Sequence, residues 1–146
     1  MKFNLEETVT GADLRSGAVI LTFSRDQSSE ILTLLGRSEV SVDAFVVDRK
    51  RVTAAVFFPE EEKAQCEALI RQGVTAESGY FRLMLKGSRL TEGRGLAALW
   101  ESVLSDEKIP VRIACADCTG ITQYLPVSTR PAVLDLLNRT FGIKAV

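Results

Sequence analysis

Val42-Asp-Ala-Phe-Val-Val-Asp-Arg-Lys-Arg-Val-Thr-Ala-Ala-Val-Phe-Phe-Pro59 is the stretch on which the fold turns. Its two β-prone runs, Val42 to Val47 and Val52 to Phe58, flank the charged tetrad Asp48 to Arg51, which suits a hairpin turn. The runs should therefore pair antiparallel. Pro59 and the acids Glu60, Glu61 and Glu62 then open a helix, because proline is tolerated in a first turn and carboxylates complement the helix dipole there. Cys66, Leu69, Ile70 and Gly73 follow the i, i+3, i+4, i+7 spacing of a buried stripe, and Val74 to Ala76 reads as a short closing strand.

Working upstream, Ala18-Val-Ile-Leu-Thr-Phe23 is a buried strand that leaves into the polar loop Ser24 to Ser29. Ile31, Leu34 and Leu35 share one face of a helix ending near Gly36, with Ser28 or Ser29 as its N-cap. Downstream the same order returns. Tyr80 to Lys86 alternates as a strand, and Leu96, Leu99, Trp100 and Val103 mark a helix. Val111 to Ala116 and Ile121 to Leu125 are strands joined by Asp117 to Gly120. Ser128 or Thr129 caps a last helix lined by Val133, Leu134, Leu137 and Phe141, which Gly142 ends before a strand at Ile143 to Val146. Val42 to Val111, Val52 to Ile121, Pro59 to Ser128 and Gly73 to Gly142 are each 69 positions apart (111−42, 121−52, 128−59, 142−73). Such a fixed register marks a duplication.

Each copy reads βαββαβ, so the expected class is α+β: a ferredoxin-like pattern used twice, with antiparallel sheets and the helices on one face of each. The boundary falls between residues 1–78, which include a lead-in segment, and residues 79–146. A four-stranded sheet covered on one side leaves a face and edges to fill, so a homodimer is expected.

Composition removes several functions. Eighteen Lys plus Arg oppose 19 Asp plus Glu, which leaves no footprint for nucleic acid or an anionic membrane. No run approaches the roughly 18 apolar residues of a membrane span, and Met1 to Thr10 is acidic and polar where a signal peptide needs a basic then apolar run. The expected location is cytoplasmic. The chain has no histidine, the commonest general base and zinc ligand. No catalytic residue, metal or cofactor is assigned.

Cys115-Ala-Asp-Cys118 has C-x-x-C spacing, but Cys115 alternates with Val111 and Ile113 on one strand face and reads as a small buried hydrophobe. A zinc site would lack ligands, with only the distant Cys66 to add. A ferredoxin-like enzyme using Cys115 or Cys118 is the outlying alternative. Lys86 to Gly95 carries three glycines between a strand and a helix and fits no nucleotide fingerprint, so it is a flexible connection or an anion cradle. In the first copy, Arg25, Asp26, Gln27 and Ser28 offer both charges and hydroxyls before a helix: Arg25 for a carboxylate, Asp26 for an ammonium. The same loop also reads as simple capping.

The tandem order resembles a pair of ACT domains, and most closely the C-terminal regulatory region of aspartokinases. The resemblance runs from Val9-Thr10-Gly11 through Ala18 to Asp26 and Val40-Ser-Val-Asp43, then from Tyr80 through Gly95-Leu-Ala-Ala98, and from Ile121 to Gly142. The family loop after the first strand reads Asp-Lys-Pro-Gly. Asp26 matches and Gln27-Ser28-Ser29 departs. The family turn Gly-Ile-Asn is replaced by Glu39-Val40-Ser41 and Lys108-Ile109-Pro110, and Pro110 has no N–H to offer. The resemblance implies an amino-acid effector and adds Ser41, Asp43, Ile109 and Val111 to the candidate contacts. It implies an amino-acid-sensing regulatory module without catalytic activity, a part of or a partner to a biosynthetic enzyme. The alternative is a structural dimerisation module that holds no ligand and binds a protein partner.

Overall fold

The computed structural model describes residues 9–59, 62–87, 96–116 and 120–144. Among them the elements follow the order β1 (Gly11–Ser24), a 3-10 turn (Arg25–Gln27), α1 (Ser28–Arg37), β2 (Ser41–Val47), β3 (Arg51–Phe57), α2 (Glu62–Arg71), β4 (Thr75–Lys86), α3 (Leu96–Asp106), β5 (Ile113–Ala116), β6 (Gly120–Pro126), a second 3-10 turn (Val127–Thr129) and α4 (Arg130–Phe141). This is a mixed α/β chain with antiparallel strand pairs. None of its described helices is long and apolar enough to cross a membrane.

Two compact units divide the chain. One is Gly17–Tyr80, and the other combines the described residues of Met1–Ser16 and Phe81–Val146. The described residues before Gly17 pack with those from Phe81 onward. Two observations account for this: Val9 and Leu14 are buried in the core of that unit, and Thr10 N–H donates to the Lys86 carbonyl at 2.8 Å.

In the Gly17–Tyr80 unit the strand order is β2-β3-β1-β4. β1 pairs with β3 from Ala18↔Phe57 to Ser24↔Arg51, and β2 pairs with β3 from Ser41↔Phe57 to Val47↔Val52. Val19, Leu21 and Phe23 on one face of β1 pack with Ile31 and Leu35 of α1, with Val52, Ala54 and Val56 of β3, and with Cys66 and Leu69 of α2. Ala18 and Ile20, on the other face, are buried as well, which is why this strand reads as a continuous apolar run rather than an alternation.

In the second unit the order is β1-β4-β6-β5. Phe81, Leu83 and Leu85 of β4 pack with Trp100 and Leu104 of α3, Ile121 and Leu125 of β6, and Val133, Leu137 and Phe141 of α4. Gly142 closes α4 at φ +68, the left-handed conformation that glycine adopts freely.

A local backbone conformation recurs at the 69-residue spacing. Glu39 (φ +57) and Lys108 (φ +56) are the positive-φ residues other than glycine among the described residues, and they are 69 apart (108−39). Each follows a helix C-terminus closed by the same bond between residues five apart, Val40 N–H to the Leu35 carbonyl at 3.0 Å and Ile109 N–H to the Leu104 carbonyl at 2.9 Å. This closure needs a left-handed residue to reverse the chain. Both copies therefore place a charged side chain where glycine is usual.

Several sequence expectations change. β1 begins at Gly11 rather than Ala18, and the closing strand at Val74 to Ala76 is one with the strand at Tyr80 to Lys86. Gly17 and Gly79 take φ near +90 inside these strands without ending them. Ile70 and Leu99 are exposed, the buried stripes being Cys66 and Leu69 in α2, and Trp100 and Leu104 in α3. β5 starts at Ile113 instead of Val111, and Ile143 and Lys144 are not in a strand. Glu60 and Glu61 lie outside the described residues, as do residues 88–95 and 117–119, so the glycine-rich loop and Cys118 fall there too.

Candidate functional site

The turn after β1 gathers four of the candidate residues. Ser24 is extended and its Oγ accepts from the Asp26 N–H at 3.3 Å, which starts the 3-10 turn Arg25–Gln27. Ser28 is the first residue of α1 rather than its cap. Gln27 holds the N-cap position and makes no side-chain capping bond. Its amide Nε2 instead donates to the Gln72 carbonyl at 3.2 Å, tying the turn to the end of α2. Thr129 likewise sits at the N-cap of α4 without capping it, and its hydroxyl donates to the Pro126 carbonyl at 2.7 Å. Arg25 and Asp26 are exposed, so the two charges of the turn face solvent.

The β2–β3 hairpin lies beside this turn, with Arg25 N–H donating to the Lys50 carbonyl at 2.9 Å. Asp48 Oδ1 accepts from the N–H groups of Lys50 at 2.8 Å and Arg51 at 2.7 Å. These two bonds hold its carboxyl below its ordinary range, and the Arg51 and Arg25 charges add to the effect. A depressed folded-state value means that the contribution is present above the unfolded-state value and fades as pH falls through the folded one. Titrating the chain below pH 4 is therefore expected to release the hairpin turn. The check is by NMR: the Lys50 and Arg51 amide protons should shift with one common midpoint, lower than that of an aspartate in an unstructured peptide.

Ser41 and Asp43 lie elsewhere. Ser41 pairs with Phe57, which pairs with Ala18, whereas Ser24 pairs with Arg51 at the far end of β3. Six residues of strand separate Ala18 from Ser24, which puts the two sets about 20 Å apart along the strands. Asp43 occupies a β-bulge: Val42 faces Val56 and Ala44 faces Ala55, leaving Asp43 as the extra residue. A bulge re-aims the side chain that it carries. Ile109 is buried and Val111 half-buried, both packing with the core of the other unit. Cys115, expected inside, is exposed on the four-residue β5, in which Ile113 is the buried residue; Cys66 is buried. Among the described residues no group of three or more potential metal ligands comes together.

The structure adds a groove between α1 and α2 that the sequence did not single out. Its outer hollow, about 450 Å³, is lined by Asp26, Glu30, Thr33, Arg37 and Gln72. The inner one, about 120 Å³, is lined by Leu34, Leu35, Val40, Phe58, Gln65 and Leu69. Leu34 and Gln72 border both hollows, so the two adjoin. Asp26 alone among the candidates reaches the groove. The polar stripe Asp26, Glu30, Thr33, Arg37 at i, i+4, i+7, i+11 was a readable signal of the outer wall.

No family model matches the chain, and no curated protein matches it. Solved structures do. The aspartokinase alpha and beta subunits give a TM-score of 0.79 at 13% identity, covering 92% of this chain and 99% of that one. The ligand-free regulatory subunit of aspartate kinase from Thermus thermophilus gives 0.77 at 13% identity, with the same coverage. E. coli aspartokinase III in complex with lysine and aspartate gives 0.73 at 19% identity, covering 96% of this chain and 34% of that one. The chain therefore has the fold of aspartokinase regulatory subunits and spans about a third of E. coli aspartokinase III.

Proposed function

We propose that this chain is an amino-acid-sensing regulatory module of two ACT-type units in tandem, cytoplasmic, homodimeric and without catalytic activity of its own. The observation that carries the reading is a fold likeness that extends over 99% of the regulatory subunit of aspartate kinase from Thermus thermophilus. Binding of lysine and aspartate by E. coli aspartokinase III supports an amino acid as the ligand class. The paired left-handed residues Glu39 and Lys108, 69 apart, support the tandem architecture.

Arg25, Asp26 and Ser28 are the proposed contacts at the β1–α1 turn, with Gln27 as its brace. Ser41 and Asp43 form a second proposed set. A free amino acid cannot bridge about 20 Å, so one ligand contacts both sets only where a second chain brings its own set alongside. The exposed edge favours such pairing: β2 ends its sheet, and Phe45, Val46 and Val47 are 55%, 52% and 49% exposed. An apolar edge strand is a template for another strand. The same edge favours the second reading, a dimerisation module that has no ligand.

The two readings separate in a thermal-shift screen of the twenty amino acids followed by calorimetry and light scattering. A selective, saturable ligand is expected to add about 2.7 kcal/mol at a hundred times its Kd. Asp26→Ala and Asp43→Ala are expected to weaken its binding. A dimer unmoved by every amino acid would leave the structural module.

A further inference from the structure

We infer that the tip of the β2–β3 hairpin is a docking surface for a short carboxylate-rich segment of a partner protein. The inference is independent of the amino-acid-sensing reading.

The tip is an ordered cluster of positive charge. Arg49, Lys50 and Arg51 follow one another in the chain, and all three are exposed. Asp48 N–H donates to the Arg51 carbonyl at 3.0 Å, which closes the turn and brings its ends to about 5.5 Å from each other. Asp48 Oδ1 accepts from the Lys50 and Arg51 N–H groups, so the same residue fixes the turn a second time through its side chain. Exposed Arg25 is tied to this turn by its N–H bond to the Lys50 carbonyl at 2.9 Å. Four cations therefore share one braced projection. Among the described residues none of their side chains is in an ion pair. A braced turn has already lost backbone freedom that a loose basic segment would lose on binding.

The balance of charge selects among anions. With Asp26 and Asp48 counted, these six residues carry +2, whereas the whole chain carries −1, so the remainder carries −3 (−1 − 2). A nucleic acid or an anionic membrane extends past a single turn and meets that acidic excess. A short run of carboxylates ends before it does. In an extended segment alternate side chains lie on one face about 7 Å apart, close to the width of the turn.

The probe is acetyl-hexaglutamate amide, titrated by calorimetry into the full chain at about 20 mM salt, where exposed charges are weakly screened. It is expected to bind, and Arg49→Gln/Lys50→Gln/Arg51→Gln to weaken binding about tenfold. Lys63→Gln/Arg71→Gln, which removes two exposed cations from α2, is expected to leave it unchanged. Two further variants separate a braced site from diffuse attraction. Asp48→Asn and Asp48→Ala each remove one negative charge, but only asparagine keeps a side-chain oxygen for the Lys50 and Arg51 N–H groups. Asp48→Ala is therefore expected to bind the peptide about threefold more weakly than Asp48→Asn. Absence of binding, a triple variant that binds like the parent, or equal binding by the two Asp48 variants would overturn the proposal. So would hexathymidylate or phosphatidylserine vesicles that bind as tightly as the peptide.

Discussion

Replacing Trp100 with alanine is expected to lower the stability of the unit containing Phe81–Val146 by about 3–5 kcal/mol. Trp100 is 1% exposed, and its ring centroid lies 5.3 Å from that of Phe141 at an interplanar angle of 43°, which couples α3 to α4. Its second role is polar. The indole Nε1 donates to Gln123 Oε1 at 2.8 Å, and Gln123 Nε2 donates to Glu101 Oε1 at 3.1 Å. Gln123 is itself 1% exposed on β6, so its amide depends on these partners. Trp100→Phe retains much of the ring contact but strands the Gln123 oxygen, for an expected loss of about 1–3 kcal/mol from the missing donor, besides the smaller ring. In Trp100→Phe/Gln123→Leu the stranded oxygen is gone, and urea unfolding should give a double variant less destabilised than the sum of the singles. Additive singles would mean that water satisfies Gln123.

The order of elements was legible because each carries a periodicity that depends on local residues: the hairpin around Asp48, the proline at the start of α4, the glycine at its end. The 69-residue register extended this from one copy to the other and is matched by Glu39 and Lys108, whose left-handed backbones no composition rule would pick out. What sequence could not supply is which partners an element has. Gly17 and Gly79 look like breaks, yet each lies within a strand, because a strand can hold a glycine at positive φ without ending there. Cys115 alternates with a buried residue but sits on a short edge strand, so alternation alone does not bury it. The candidate turn Arg25–Ser28 was found from its charges and hydroxyls. Its relation to Ser41 and Asp43 depended on strand register, which separates them, and the groove required the approach of two helices.

Phe23 and Phe45 make the same point as a measurement. Both are phenylalanines in β-prone runs, and both lie on strands that pair with β3, facing Val52 and Ala54 respectively. Phe23 is 3% exposed and packs in the core with Ile31 and Leu35, whereas Phe45 is 55% exposed on the edge strand β2. Phe23→Ala is expected to cost about 3–5 kcal/mol, and Phe23→Leu much less, since most of the volume is kept. Phe45→Ala removes little buried area from a single chain and should stay within about 0.5 kcal/mol at dilute concentration. The loss at Phe23 reaches the candidate site, because the next residue is Ser24, whose hydroxyl starts the turn holding Arg25 and Asp26. Chemical denaturation of both variants, repeated across protein concentration, separates the two roles. Phe23→Ala should be destabilised at every concentration, and Phe45→Ala should differ from the parent only where chains associate. A large loss for Phe45→Ala at the lowest concentration would mean that β2 is covered within its own chain, and would remove the edge as a dimer contact.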